Sequence, residues 1–399
     1  MSAAAEAEAA AVESLPDDVV PEILLCLPPH PSFVSGASLV CKRWLHLIRS
    51  PSFLRRVCAF HRTPPVLGFF HNYRELPRFV PAEGVPGRNR MDGVDDGGDA
   101  RMFIDCRHGR ALLRRYDWAD LVVWDPMTGE RRRIAGPNQK MQGGGAGNLP
   151  AAARRGSAAA MFPEAAATRT ATLAPSMSSS CSPVAAARSP ACTLRLTDAW
   201  GDLISTPAPL PCELCDTPPA LVGEASYWLS YGGLILEFQF GSQSLTLMKR
   251  PLEMLADVRL VRLEEDGLGL AFIKDSTLHL WAREVADDGA PKWKWIPRRA
   301  IELDKFLPMP RVLTGKWCGE MFVSISGFSE DGNVVFIRTL AGVFLVWLEA
   351  LKFKKMSDPL YMMTVHPYSS FYVPNGVKAN RVYNRPNFSK SLSFYGLLS

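Results

Sequence analysis

The segment Leu15-Pro16-Asp17-Asp18-Val19-Val20-Pro21-Glu22-Ile23-Leu24-Leu25-Cys26-Leu27-Pro28 opens the only strongly helical part of this chain. Val19, Val20, Ile23, Leu24 and Leu27 recur at three- and four-residue steps, so they share one face of a helix. Ser14, with Asp17 three positions on, matches a capping box, and Pro16 suits a first turn. Pro21 in a helix interior would cost about 3 kcal/mol. The pattern therefore predicts a late start, with Asp17 or Asp18 as the cap, or a kink. Pro28-Pro29-His30-Pro31 ends this helix. A second is predicted over about 33–48, with Val34, Ala37, Val40, Cys41, Trp44, Leu45 and Ile48 as its apolar stripe. Ser50-Pro51 breaks it, and a third short helix runs on to Phe60. Three short helices bury too little to be stable alone. An apolar face left over by such a unit marks a partner site; the competing reading is that the helices pack only on the β domain behind them.

Beyond Val66 the texture changes to short apolar runs divided by Gly, Pro and Asp. Leu121–Trp124 and Arg131–Ile134 flank the turn Asp125-Pro126-Met127-Thr128-Gly129. Ala225–Leu229, Leu234–Phe240, Leu245–Met248, Val258–Leu263, Gly269–Ile273 and Leu278–Ala282 continue the pattern, as do Val323–Phe328, Asn333–Thr339 and Gly342–Trp347. Strands at such regular spacing predict an all-β sandwich, barrel or propeller. Two segments fall outside it. Residues 1–13 are mostly Ala and Glu, predicted as a disordered tail, with a frayed helix as the alternative. Residues 138–195 are rich in Ala, Ser, Gly and Arg and are predicted to be mostly disordered.

The whole chain has 399 residues, 47% apolar and 21% charged, with a net charge of +5. This suits a soluble multidomain protein and gives no basic concentration of the kind nucleic-acid binding needs. The longest late apolar run, Gly342–Leu348, is far short of the roughly 20 residues a membrane span requires. No secretory signal opens the sequence, and nine scattered cysteines point to an intracellular compartment with free thiols, in cytoplasm or nucleus.

Chemistry-bearing motifs are weak. Cys212-Glu213-Leu214-Cys215 has zinc spacing but no second pair, and two free thiols are the more economical reading. Gly143–Gly147 lacks the Lys-Ser/Thr sequel of a phosphate loop. The histidines (His30, His46, His61, His71, His108, His279, His366) show no ligand spacing. Arg131-Arg132-Arg133 reads as a solvated strand end, or as a contact for an acidic partner. Trp293 and Trp295 alternate, which puts both indoles on one strand face, predicted to be buried, with ligand stacking as the alternative. No catalytic residue, metal site or cofactor is predicted.

The N-terminal residues resemble the F-box. Leu15-Pro16-Asp17-Asp18 followed by Ile23-Leu24 and Leu27-Pro28 is similar to its first half. Ala37 to Trp44, then Leu47-Ile48 and Pro51 with Phe53, is similar to its second. The resemblance covers about an eighth of the chain and implies docking on a SKP-type adaptor held by a cullin. Carried over by position, Leu15, Pro16, Ile23, Leu24, Leu27, Pro28, Val40, Cys41 and Trp44 are the implied docking or packing residues. The remainder resembles plant F-box proteins of the kind abundant in grasses, in Cys106-Arg107-His108-Gly109, Val123-Trp124-Asp125-Pro126, Tyr227-Trp228 and Gly327 to Val334. Their C-terminal regions are β-propeller-like, which implies roughly six blades at about 40–50 residues each, fewer without 138–195.

The expected organisation is thus an α+β multidomain chain: tail 1–13, a three-helix F-box over 14–62, and a β-propeller-like domain over 66–137 and 196–399. Residues 138–195 depart from the family and read as a disordered insertion or the product of an altered frame. The implied function is a non-catalytic substrate receptor of an SCF-type ubiquitin ligase with an unknown protein target, no nucleic acid and no membrane partner. The alternative is a stand-alone propeller that binds a protein, glycan or small molecule beside a non-functional F-box.

Overall fold

The computed structural model describes residues 15–73, 76–82, 101–115, 120–135, 156–161, 170–175, 190–195, 200–205, 214–215, 217–251, 257–263, 267–285, 293–308, 323–358, 364–372 and 394–398. Residues 1–13, Ser14, Gly143–Gly147 and Cys212, all singled out from sequence, lie outside them.

Four helices come first: α1 (Val19–Cys26), α2 (Pro31–Val40), α3 (Lys42–Arg49) and α4 (Pro51–His61). The start of α1 at Val19, after Asp18, places Pro21 in the first turn, where its missing N–H costs least. The single helix expected over 33–48 is two. Cys41 is fully extended (φ −158°, ψ 166°), so the stripe predicted across it belongs to two axes, and the unit has four helices rather than three. Short caps explain the remaining breaks. Pro51 opens α4, and the Ser50 hydroxyl accepts from Phe53 N at 3.2 Å. His30 Nδ1 accepts from Ser32 N at the start of α2.

The strands come next: β1 (Val66–Tyr73), β2 (Leu76–Pro81), β3 (Arg101–Arg107), β4 (Arg110–Arg115), β5 (Asp120–Trp124), β6 (Arg131–Ala135), β7 (Gly156–Met161), β8 (Thr170–Pro175), β9 (Pro190–Arg195) and β10 (Trp200–Ser205). After them come β11 (Ala220–Val222), β12 (Ala225–Leu229), β13 (Leu234–Gln239), β14 (Ser244–Lys249), β15 (Arg259–Arg262), β16 (Leu268–Lys274), β17 (Thr277–Val285) and β18 (Trp293–Glu302). The last are β19 (Val323–Phe328), β20 (Val334–Thr339), β21 (Gly342–Trp347), β22 (Lys352–Ser357), β23 (His366–Ser369) and β24 (Phe394–Leu398).

Four antiparallel meanders, β3–β6, β11–β14, β15–β18 and β19–β22, each form a four-stranded sheet. A fifth, three-stranded sheet has the order β2-β1-β23 and joins the first strand of the domain to one near its end. The inner strands β3, β11, β15, β19 and β23 meet around one central cavity, each lending residues to its wall. This is a five-bladed β-propeller closed by β1 and β23. The roughly six blades expected from length fall to five because β7–β10 and β24 form a separate sheet that contributes no inner strand.

The apolar cores lie between neighbouring blades. Val261, Leu278 and Leu280 of one blade meet Ile325, Val335 and Phe344 of the next. Burial falls off toward the outer strands, and this corrects the reading of Trp293 and Trp295. Both sit on β18, the outermost strand of its blade. Trp295 is half-buried against the core, while Trp293 is 49% exposed with the Arg283 guanidinium 3.9 Å over its ring. Arg131, Arg132 and Arg133 are exposed on the outer strand β6, as a solvated strand end should be.

Turn chemistry fixes the register. Asp125 Oδ1 accepts from Met127 N (2.9 Å) and Thr128 N (3.1 Å), and Gly129 takes φ +76°. Asp331 and Gly332 repeat this between β19 and β20, with Gly332 at φ +78°. A Cβ on Gly332 would overlap the Arg262 carbonyl oxygen of the neighbouring blade. Gly332→Ala is therefore expected to destabilise the propeller by about 1–3 kcal/mol, read as a lowered denaturant midpoint. An unchanged midpoint would show that the two blades do not meet at this turn.

Candidate functional site

Two places in the fold concentrate uncommon chemistry: the surface of the helical unit and the centre of the ring. The helices close on a small core of Val20, Leu24, Leu25, Ala37, Ile48 and Phe53, with Leu15, Leu27, Trp44 and Leu47 partly buried against it. Arg43 pins the entry, donating from Nη1 to the Leu15 carbonyl (2.8 Å) and pairing with Asp17. Arg56 of α4 pairs with Glu22 of α1 at 2.5 Å, and His61 Nε2 lies 3.0 Å from the Leu25 carbonyl. On one side the helices meet Phe371 and Tyr372, just past β23. Both are buried, and they line a small apolar gap with Leu24, Phe53 and Leu54.

This arrangement separates the residues that sequence could only group. Leu24 is core. Leu15, Leu27 and Trp44 are partly buried supports, and the Trp44 indole N–H is buried with no hydrogen-bond partner. Cys41 is half-buried at the break between α2 and α3. Pro16, Ile23, Pro28 and Val40 reach solvent. Beside Ile23 and Val40 the surface also exposes Val19, Phe33, Phe60 and above all Leu39, at 84%. Leu39 lies off the three-and-four stripe, so the periodicity that finds a core passes over it. A leucine left almost bare on a small helical unit was the available signal.

At the ring centre the cavity, about 60 Å³, is walled by Asp105 to Arg107, Pro218 to Leu221, Arg259 to Arg262, Ser326 to Glu330 and Pro367. Polar latches join the inner strands there. Arg107 Nε donates to Asp105 Oδ2 (2.7 Å), and its Nη2 donates across to the Pro219 carbonyl. Glu330 Oε2 accepts from His108 N (3.0 Å), and Oε1 lies 2.9 Å from His108 Nε2. Asp257 takes Ile325 N (2.7 Å) and Arg259 Nη1 (2.9 Å). Burial alone would raise the Glu330 carboxyl, but the charge and hydrogen bonds of His108, together with Arg107, hold it at about 2. Burial pushes Asp105 up against the pull of Arg107. A buried pair of this kind costs several kcal/mol to break because one charge is left alone. None of this was legible in the sequence, since these residues lie up to 222 positions apart.

Cys215, the described member of the predicted thiol pair, is half-buried and donates its backbone N–H to the Leu229 carbonyl at 2.7 Å. Among the described residues no helix is long and apolar enough to cross a membrane.

Comparison with known proteins bears on the helical unit first. The F-box-like family model matches residues 12–59. No curated protein matches the chain. Among solved structures the chain is similar to the β-propeller domain of Cps50 (Swd1) from Myceliophteria thermophila, at 11% identity and a TM-score of 0.34, covering 64% of this chain and 71% of that one.

Proposed function

We propose that this chain, which carries an F-box-like domain ahead of a five-bladed propeller, is the substrate-receptor subunit of an SCF-type ubiquitin ligase. F-box domains generally bind SKP-type adaptors, and proteins of this family are generally non-catalytic. The helical unit would dock the adaptor and, through it, a cullin. The propeller would present a protein target. Catalysis would then come from proximity, which raises the effective concentration of target and ubiquitin donor without chemistry by this chain.

The observation that carries the reading is the bare apolar surface of Ile23, Phe33, Leu39 and Val40 on helices whose other side already rests on Phe371 and Tyr372. Docking anchors and packing residues then differ in what their loss does. The double change Leu39→Asp and Val40→Asp in the full chain is expected to weaken binding of a purified SKP-type adaptor by thirtyfold or more, roughly the 2 kcal/mol of an interface hot spot. The melting temperature should not move, because neither side chain is buried. Unweakened binding would sink this assignment of the docking surface. Failure of the folded wild type to bind any such adaptor would leave the ring as a stand-alone binding module.

A further inference from the structure

The donors and acceptors around the central cavity do not balance. Each carboxylate oxygen in the wall already faces a protein donor: Asp105 Oδ1 takes Cys106 N, Oδ2 takes Arg107 Nε, and the Glu330 oxygens face His108 N and Nε2. Two donors in the same wall have no such partner. Ser326 is 1% exposed and its hydroxyl makes no hydrogen bond; Arg259 Nε is buried and makes none either, although Nη1 of the same guanidinium reaches Asp257. A buried donor left unsatisfied costs about 1–3 kcal/mol, so the fold keeps two such penalties among the residues that wall the cavity.

The charge of the wall points the same way. Arg107, Arg259 and Arg262 line the cavity against Asp105 and Glu330. Glu330 and Asp105 are committed to His108 and Arg107, while the Nε edge of Arg259, also in the wall, carries no partner. An ionised carboxylate accepts hydrogen bonds and donates none, and it takes a guanidinium edge readily. Size sets a limit. At about 60 Å³ the cavity has room for several water molecules, enough for one carboxylate group and too little for a bulky ligand.

We infer that the central cavity of the propeller is a binding site for a single carboxylate group, held by Ser326 Oγ and Arg259 Nε. The group comes either from a small free acid or from the C-terminus of a peptide entering the ring. The site is independent of adaptor docking, and it supplies the propeller with a chemically defined recognition point.

The test uses the full chain. Sodium acetate and triglycine are titrated against sodium chloride of matched ionic strength, with C-terminally amidated triglycine as control, and melting temperature is followed. Stabilisation by acetate alone identifies a small-acid site; stabilisation by free triglycine and not by the amide identifies a chain-end site. In either case Ser326→Ala is expected to weaken the response roughly tenfold while keeping wild-type adaptor binding, and to raise melting without ligand because it removes an unsatisfied buried hydroxyl. No response to either acid, or an equal response in Ser326→Ala, would show that the cavity holds water only and overturn the inference. Loss of adaptor binding with the carboxylate response intact would instead count against the ligase reading alone.

Discussion

Phe70→Ala is expected to cost the propeller about 3–5 kcal/mol, the usual range for truncating a fully buried phenylalanine. Phe70 is 0% exposed on β1, where the ring closes. Its ring lies 4.7 Å from Phe79 of β2, 4.3 Å from Phe103 of β3, 5.7 Å from Trp124 of β5 and 5.5 Å from Tyr368 of β23, centroid to centroid. One side chain therefore ties the closing blade to the blade beside it. Removal leaves a cavity bounded by rigid aromatic rings and two sheets, which cannot collapse to fill it. The melting temperature should fall by on the order of 10 °C, at the few degrees per kcal/mol typical of larger domains. Trp347→Ala, on an outer-blade side chain 40% exposed, should change stability far less. Equal small losses in both would show that closure does not hold the ring.

The second large effect is on pH. His366 of β23 is buried, and burial first, then the nearby His71, lowers its pKa to about 4. His71 of β1 is lowered as well, by burial and then by Arg78 of β2. His366 Nδ1 and His71 Nδ1 are buried without hydrogen-bond partners. In the unfolded chain a histidine titrates near 6.5. Between pH 6.5 and 4 the unfolded chain takes up a proton at His366 that the folded chain refuses, so stability falls as pH falls across that window. The loss from this group is on the order of 3 kcal/mol and complete near pH 4. Glu330, held at about 2, adds its own loss only below the ordinary glutamate range. Urea unfolding at pH 7, 5.5 and 4.5 measures the slope. In His366→Gln, which carries no titrating group there, the decline should be much shallower. A wild type as stable at pH 4.5 as at pH 7 would contradict the burial of a neutral imidazole at the closure.

Much of this architecture could be read from local pattern. The helical spacing of Val20, Ile23, Leu24 and Leu27 placed a helix beside the Pro-rich stop at Pro28, and short apolar runs with Asp-Gly and Gly-Gly turns located the middle strands of the β11–β14, β15–β18 and β19–β22 blades, though not β1 or β4. Those signals are local: a helix face repeats within four residues, and a turn residue acts on its own φ and ψ. What failed was equally specific. The break at Cys41 left no mark, because an extended residue between two helices needs neither Pro nor Gly. Trp293 has the alternation of a buried strand but lies at the outer edge of its blade, and alternation records which face a residue is on, not how much protein covers that face.

The sequence by itself determined the two-part organisation, a helical unit with an F-box-like pattern ahead of a run of strands. The tertiary structure alone decided that the blades number five, that β1 pairs with β23, that Leu39 and Val40 are bare while Leu24 is core, and that Arg107, Arg259, Ser326 and Glu330 share one cavity. The reason is range. Ring closure and the central cavity are made by contacts between residues far apart in the chain, as when His108 meets Glu330, and no local period or composition encodes which distant strands will become neighbours.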